Sequence, residues 1–211
     1  MLNLDDIKLY FIADYHLVKT AGKQFLPTAM KAVEGGVQMV QLRWKNAAFQ
    51  ELLNLALHTK AILPEDIPLI INDDYRIAFF SDSDGVHLGK EDASVREARN
   101  FFDRGSRKML IGASCDNIRE IEEAKRAGAD YVGFGAVFPT ETKKNAVRVR
   151  EDEIKKAARI DSIPVFAIGG ITPDNVVDLI RAGFRRVAVA GAIILSDRPA
   201  SAASRFRELL G

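Results

Sequence analysis

A closed parallel (β/α)8 TIM-type barrel is the fold class this sequence predicts, and three observations predict it. Eight short apolar runs alternate from end to end with segments of helical period. Polar tracts follow those runs, at the strand ends where a barrel keeps its chemistry. Glycines stand where helices have to stop before the next strand. The 211 residues fit one domain, 1–211, because a single α/β barrel commonly runs to this length or beyond.

The expected strands are residues 9–13, 39–42, 69–71, 85–88, 109–112, 131–135, 165–168 and 187–190. After the second, Phe49, Leu52, Leu53, Ala56, Leu57 and Leu63 follow one helical face, with Gln50, Glu51 and Asn54 opposite. Residues 93–102 also read as a helix, with Asp92 in position to cap it. Thr172-Pro173 predicts another helix start, a hydroxyl cap followed by proline at the first helical position. Gly35, Gly128 and Gly183 predict left-handed C-caps. An open doubly wound sheet is the rival architecture. It usually carries a glycine fingerprint after its first strand, and Asp14-Tyr15-His16-Leu17 is not one.

Composition narrows the function classes. A hydrophobic content of 47% allows a sizeable core, and a net charge of +1 argues against a nucleic-acid or membrane-surface partner. Cations that bind a ligand must therefore be local. No apolar stretch approaches the roughly 18 residues of a membrane span, and the lone Cys115 excludes an intrachain disulfide. Both fit a cytoplasmic protein. A homo-oligomer is left open.

Within the polar tracts, Arg43 and Lys45 alternate with Leu42 and Trp44, so both leave the strand on one side. With Gln41 they could grip a pyrophosphate, Arg as a planar fork and Lys as a point charge, or simply form a polar rim. Asn72-Asp73 and Asp92 offer the hard oxygen ligands that Mg²⁺ takes, one acid from each of two neighbouring strands. Taken alone Asp92 fits a helix cap better, and the two roles are compatible. Ser114 could bond a phosphate oxygen or cap the next helix. Cys115 beside His87 reads as a buried inert thiol rather than a nucleophile. Thr140, Thr142 and Lys143 form a hydroxyl-and-ammonium loop over Phe138-Pro139. Gly169-Gly170 and Ala190-Gly191 fit the phosphate site that barrels build beyond the last two strands, against the bland reading of two turns. His16 and His58 have no metal-ligand spacing, and His58 falls on a surface helix.

Taken in order, these tracts resemble the thiamine-phosphate synthase family. The matching stretches are Val40-Gln41-Leu42-Arg43 with Lys45, Pro68 to Asp73, Asp84 to Gly89 with Asp92, and Gly112-Ala113-Ser114. They continue through Gly133 to Thr140 with Thr142-Lys143, and Ala167-Ile168-Gly169-Gly170-Ile171. The resemblance implies a (β/α)8 transferase that joins hydroxymethylpyrimidine diphosphate to a thiazole phosphate and releases pyrophosphate. It implies Mg²⁺ on Asp73 and Asp92, and the diphosphate on Arg43, Lys45, Asn72, Ser114 and Lys143. Gln41 and His87 would line the pyrimidine site. Thr140, Thr142, Gly170 and the Ala190-Gly191 backbone would take the thiazole phosphate. Of these, Arg43, Lys45, Ser114 and Lys143 would act on the reacting groups.

The chain departs from the family's usual residues at several points. Cys115-Asp116 replaces Thr-His, Lys90 a Gln, Trp44 a Glu, Ala13 a Thr and Gly191 a Ser, while Asp74 and Arg76 look exchanged. Two alternatives share the barrel. One is the thiazole tautomerase branch, whose proton-transfer His would fall at Asp116. The other is a catalytically silent barrel that binds thiamine precursors. A third, a phosphosugar isomerase, expects an acid–base pair that these tracts do not offer.

Overall fold

The computed structural model describes residues 3–140 and 148–211. Eight parallel strands close on themselves in chain order. They are β1 (Leu9–Asp14), β2 (Met39–Arg43), β3 (Leu69–Asn72), β4 (Gly85–Leu88), β5 (Leu110–Cys115), β6 (Tyr131–Phe134), β7 (Val165–Ile168) and β8 (Val187–Val189). Around them lie α1 (Tyr15–Thr20), α2 (Phe25–Glu34), α3 (Phe49–Ile62), α4 (Tyr75–Phe80) and α5 (Val95–Arg104). They are followed by α6 (Ile118–Ala127), α7 (Glu151–Ala157), α8 (Val176–Ala182), α9 (Gly191–Ile194) and α10 (Pro199–Leu210). No described helix is long and apolar enough to cross a membrane.

Strand alternation sorts the side chains into two cores. Leu9, Phe11, Val40, Leu42, Leu69 and Ile71 point outward and pack under the helices. Tyr10, Met39, Ile70, Tyr131, Phe166 and Ala188 point inward and fill the barrel. There Tyr10 and Tyr131 meet Phe166 edge-on, with centroids 5.5 and 5.6 Å away. Because all eight strands are parallel, their carboxyl ends share one mouth. β1, β2, β3 and β5 run beyond their expected ends, since the polar residues there still hold the ladder. Asp14 pairs in register with Arg43, Asn72 with His87, and Ser114 with Gly133.

The helix boundaries bring four corrections. Gly128 (φ +99°) and Gly183 (φ +111°) are left-handed caps as expected, but Gly35 is not, and Gly36 (φ +95°) takes that conformation instead. Gly35 is needed for packing: a Cβ there would lie 2.2 Å from the Ala200 carbonyl oxygen on α10. The helix expected at Thr172 begins at Val176, because the Asn175 amide oxygen takes the Thr172 N–H (2.9 Å) and closes a turn first. α5 is capped by Ser94, not Asp92, and α6 by Asn117, not Ser114. On α3 the buried face is Leu52, Ala56 and Thr59; Phe49 and Leu57 are exposed, as is His58.

Candidate active site at the carboxyl mouth

β1 to β4 bring together most of the charge expected at the mouth. Arg43, at the end of β2, forms an ion pair with buried Asp14 at the end of β1. Asp14 also accepts the Leu17 N–H at 2.9 Å and so caps α1. Lys45 reaches across to Asp73, just past β3, in a second ion pair. Asp73 has a left-handed backbone (φ +71°), and its N–H donates to the His87 carbonyl on β4 at 2.8 Å. Asp92 folds back so that its carboxylate accepts the Gly89 N–H at 2.7 Å.

The two acids perturb each other. Burial, then the neighbouring Asp92 carboxylate, pushes Asp73 up to about 6 against the pull of Lys45. Burial also works to raise Asp92. The hydrogen bond with Asp73, the Gly89 N–H and the Lys45 charge outweigh it and hold Asp92 below its ordinary value. Burial and the like charge of Asp92 make Asp73 the harder of the two to ionise, and Lys45 offsets part of that cost. Two hard oxygen donors beside half-open space are a set that fits Mg²⁺, which takes one or two carboxylates and fills its sphere with water and phosphate. Among the described residues no group of three or more His, Cys, Asp or Glu converges in the manner of an all-protein cage.

Below the charges, inward-facing polar groups form one hydrogen-bonded chain. Gln41 Nε2 lies 2.5 Å from the Tyr10 hydroxyl, which lies 3.1 Å from that of Tyr131. The Tyr131 hydroxyl lies 3.3 Å from His87 Nδ1, and His87 Nε2 lies 3.0 Å from Ser114 Oγ. Glycine makes room for this chain. A Cβ on Gly112 would sit 2.2 Å from Tyr131 Cζ and 2.5 Å from His87 Nδ1, and one on Gly133 would sit 3.1 Å from His87 Cε1. Asn72 ends β3 directly opposite His87.

β6 to β8 contribute backbone more than side chains. Gly169 (φ +102°) and Gly170 (φ +63°) are left-handed, and a Cβ on Gly170 would lie 2.2 Å from the Pro139 carbonyl oxygen. The Phe138 N–H donates to the Gly169 carbonyl at 3.1 Å, which ties the segment after β6 to the end of β7. Packing alone thus requires both glycines. Ala190 and Gly191 open the short α9 directly after β8. The Lys23 ammonium closes its far end, donating to the Ile194 carbonyl at 2.7 Å and to that of Ser196. The expected Thr142 and Lys143 lie outside the described residues.

Sequence reading passed over three residues that build this site: Asp14, Tyr10 and Tyr131. Each lies on an inward position of its strand, a period-2 register shared with Gln41, Arg43, His87 and Ser114. Several departures from the family's usual residues also find partners. Lys90 pairs with Asp116 at 2.7 Å and with Glu120 at 2.6 Å. Trp44 stacks on Tyr15 with centroids 3.7 Å apart and planes 14° from parallel. Asp74 pairs with Arg76 at 2.7 Å and caps α4. Cys115 is buried, and its thiol is pushed up to about 12 by that burial, so it is inert.

Comparison with known proteins follows the same residues. Residues 9–193 match the family described as thiamine monophosphate synthase, a span running from β1 to α9. The chain belongs to that family. Membership makes it a transferase. The family's thiamine-phosphate synthase from Persephonella marina is 37% identical over 206 residues, covering 97% of this chain and 96% of its own. The one from Methanobrevibacter smithii is 40% identical over 199 residues, covering 94% and 92%. Among solved structures, thiamine phosphate pyrophosphorylase from Pyrococcus furiosus superposes with a TM-score of 0.87 at 32% identity, over 99% of this chain and 98% of that one. A 3-hexulose-6-phosphate synthase shares the barrel at a TM-score of 0.72 and 18% identity, which speaks for the fold alone.

Proposed function

We propose that this thiamine monophosphate synthase family member joins 4-amino-2-methyl-5-hydroxymethylpyrimidine diphosphate to hydroxyethylthiazole phosphate, carboxylated or not, with Mg²⁺. The products are thiamine phosphate and pyrophosphate. The observation that carries the reading is the convergence of Lys45, Asp73 and Asp92 from three successive strand ends. Two acids held against one ammonium make a seat for a divalent cation and a diphosphate together.

The reaction calls for no protein nucleophile. The aminopyrimidine stabilises a methylene cation as the C–O bond to the diphosphate breaks, and the thiazole nitrogen then forms the new C–N bond. The protein's work is to hold the leaving anion and align the incoming ring. Arg43, kept in place by Asp14, offers a fixed fork, and Lys45 a point charge beside it. Asn72, Ser114 and Lys143 complete the grip on the diphosphate, while Gln41 and His87 line the pyrimidine. Thr140, Thr142, Gly170 and the Ala190-Gly191 backbone receive the thiazole phosphate. Bound on Asp73 and Asp92, Mg²⁺ would neutralise charge developing on the departing diphosphate. Asp116 is held by Lys90, and this engagement counts against the tautomerase alternative, which needs a proton shuttle there.

The test is direct. Purified protein, Mg²⁺ and both substrates should yield thiamine phosphate and pyrophosphate in equal amounts, and chelation should stop both. A chain that binds the two substrates and releases no pyrophosphate would be the silent barrel instead.

A further inference from the structure

The buried chain from Gln41 to Ser114 has a direction. Gln41 Nε2 can only donate, so at 2.5 Å the Tyr10 oxygen accepts. Among the described residues the Tyr131 oxygen, 3.1 Å away within a wholly buried layer, is the hydrogen-bond acceptor left for the Tyr10 proton, and the direction follows from giving it that proton. That leaves the Tyr131 proton for His87 Nδ1 at 3.3 Å, and a ring nitrogen that accepts carries no proton. The proton of neutral His87 therefore sits on Nε2 and is donated to Ser114 Oγ at 3.0 Å. With one lone pair filled from below, half-buried Ser114 has its own O–H left to donate.

We infer that Tyr10 and Tyr131 are positioning residues: with Gln41 they fix His87 as its Nε2–H tautomer and make Ser114 a dedicated donor to an anionic oxygen of the substrate. This rests on the coupling reaction proposed above for its substrate, but not for its tautomer. The geometry around the chain supports the assignment. Gly112 and Gly133 both leave space that a methyl group would close against His87 or Tyr131. The edge-on contacts with Phe166 hold both phenol rings, so each hydroxyl oxygen keeps its place in the chain.

Long-range ¹H–¹⁵N NMR on the intact protein, without metal or substrate, tests the tautomer. With three histidines in the chain, His87 is assigned by comparison with His16→Gln and His58→Gln. The expected result at neutral pH is a neutral ring with a proton on Nε2 and none on Nδ1. Tyr131→Phe, which removes one oxygen and keeps the ring packing, should give a mixture of tautomers, and Tyr10→Phe a smaller shift the same way. A proton on Nδ1 in the unaltered protein, an imidazolium, or a Tyr131→Phe spectrum unchanged at His87 overturns the assignment. In turnover, Tyr131→Phe should lower kcat/KM for the pyrimidine diphosphate about tenfold, the scale of one buried hydrogen bond, and leave KM for the thiazole phosphate unaltered. In a Ser114→Ala background the same substitution should cost nothing more; additive losses would show that Tyr131 does not act through Ser114. Should the unaltered protein make no thiamine phosphate, the coupling reaction falls, and the NMR spectra decide the tautomer by themselves.

Discussion

Strands β1 to β5 furnish the mouth with side chains, whereas β6 to β8 furnish it with backbone. On the first side, Arg43 answers Asp14 and Lys45 answers Asp73 with Asp92 beside them, and Gln41, His87 and Ser114 stand on a hydrogen-bonded base. On the second side, glycines bring chain against chain, as where Gly170 meets the Pro139 carbonyl. On the proposed reaction, the difference would teach how one barrel treats two anions: a departing diphosphate would be met by charged side chains, and a phosphate that only has to be held by closely approaching main chain.

The comparison breaks most severely at the acids. Asp73→Asn or Asp92→Asn should lower coupling by at least about 10²–10³-fold, the scale seen when one preorganised electrostatic contact is removed. The fold should survive, as circular dichroism beside a Mg²⁺ titration of the rate will show. Full turnover at limiting Mg²⁺ in either variant would remove the metal from these residues. On the backbone side, Gly170→Ala forces a side chain into a left-handed position and against Pro139. It should destabilise the protein by about 1–3 kcal/mol and raise KM for the thiazole phosphate, with its Mg²⁺ dependence intact. Thermal melts and steady-state kinetics check both halves.

Acid sensitivity sharpens the contrast further. Asp73 is raised from 3.8 to about 6, so between those values the folded protein binds more protons than the unfolded one, and stability falls as pH rises through that window. Asp92 is lowered, so it works in the opposite sense near and below its ordinary 3.8 and adds little slope above about pH 5. Metal-free protein should therefore lose melting temperature between about pH 4 and 6 relative to Asp73→Asn, and saturating Mg²⁺ should flatten the difference. The mildest effect is expected at Trp44→Glu, which restores the family's usual residue and breaks the stack on Tyr15. It should lower stability by about 1 kcal/mol, read as a small drop in melting temperature, with little change in rate.

Most of this architecture was legible because it depends on local patterns. Short apolar runs ending in charge marked the strands, and their order located Arg43, Asn72, Asp73 and Ser114 at one mouth. What stayed hidden depends on partners distant in sequence. Asp14 is inconspicuous in the sequence until β2 is laid beside it and Arg43 faces it. Tyr10 and Tyr131 read as core aromatics until closure sets them hydroxyl to hydroxyl. Gly35 looks like a helix stop, yet α10, more than 160 residues later, decides its role. For Asp92 and Ser114 the sequence leaves a helix cap open beside a ligand role, because their side chains suit either task. Ser94 and Asn117 stand closer to the helices and took the capping role.

The ion pair between Lys90 and Asp116 has a practical consequence for anyone recombining these barrels. The two residues sit on adjacent loops, after β4 and after β5, and each answers the other's charge. A chimera that puts Gln in place of Lys90 would leave Asp116 and Glu120 without their shared cation, whereas Lys90 keeps Glu120 if Asp116 is lost. The loop after β4 should therefore travel with the one after β5.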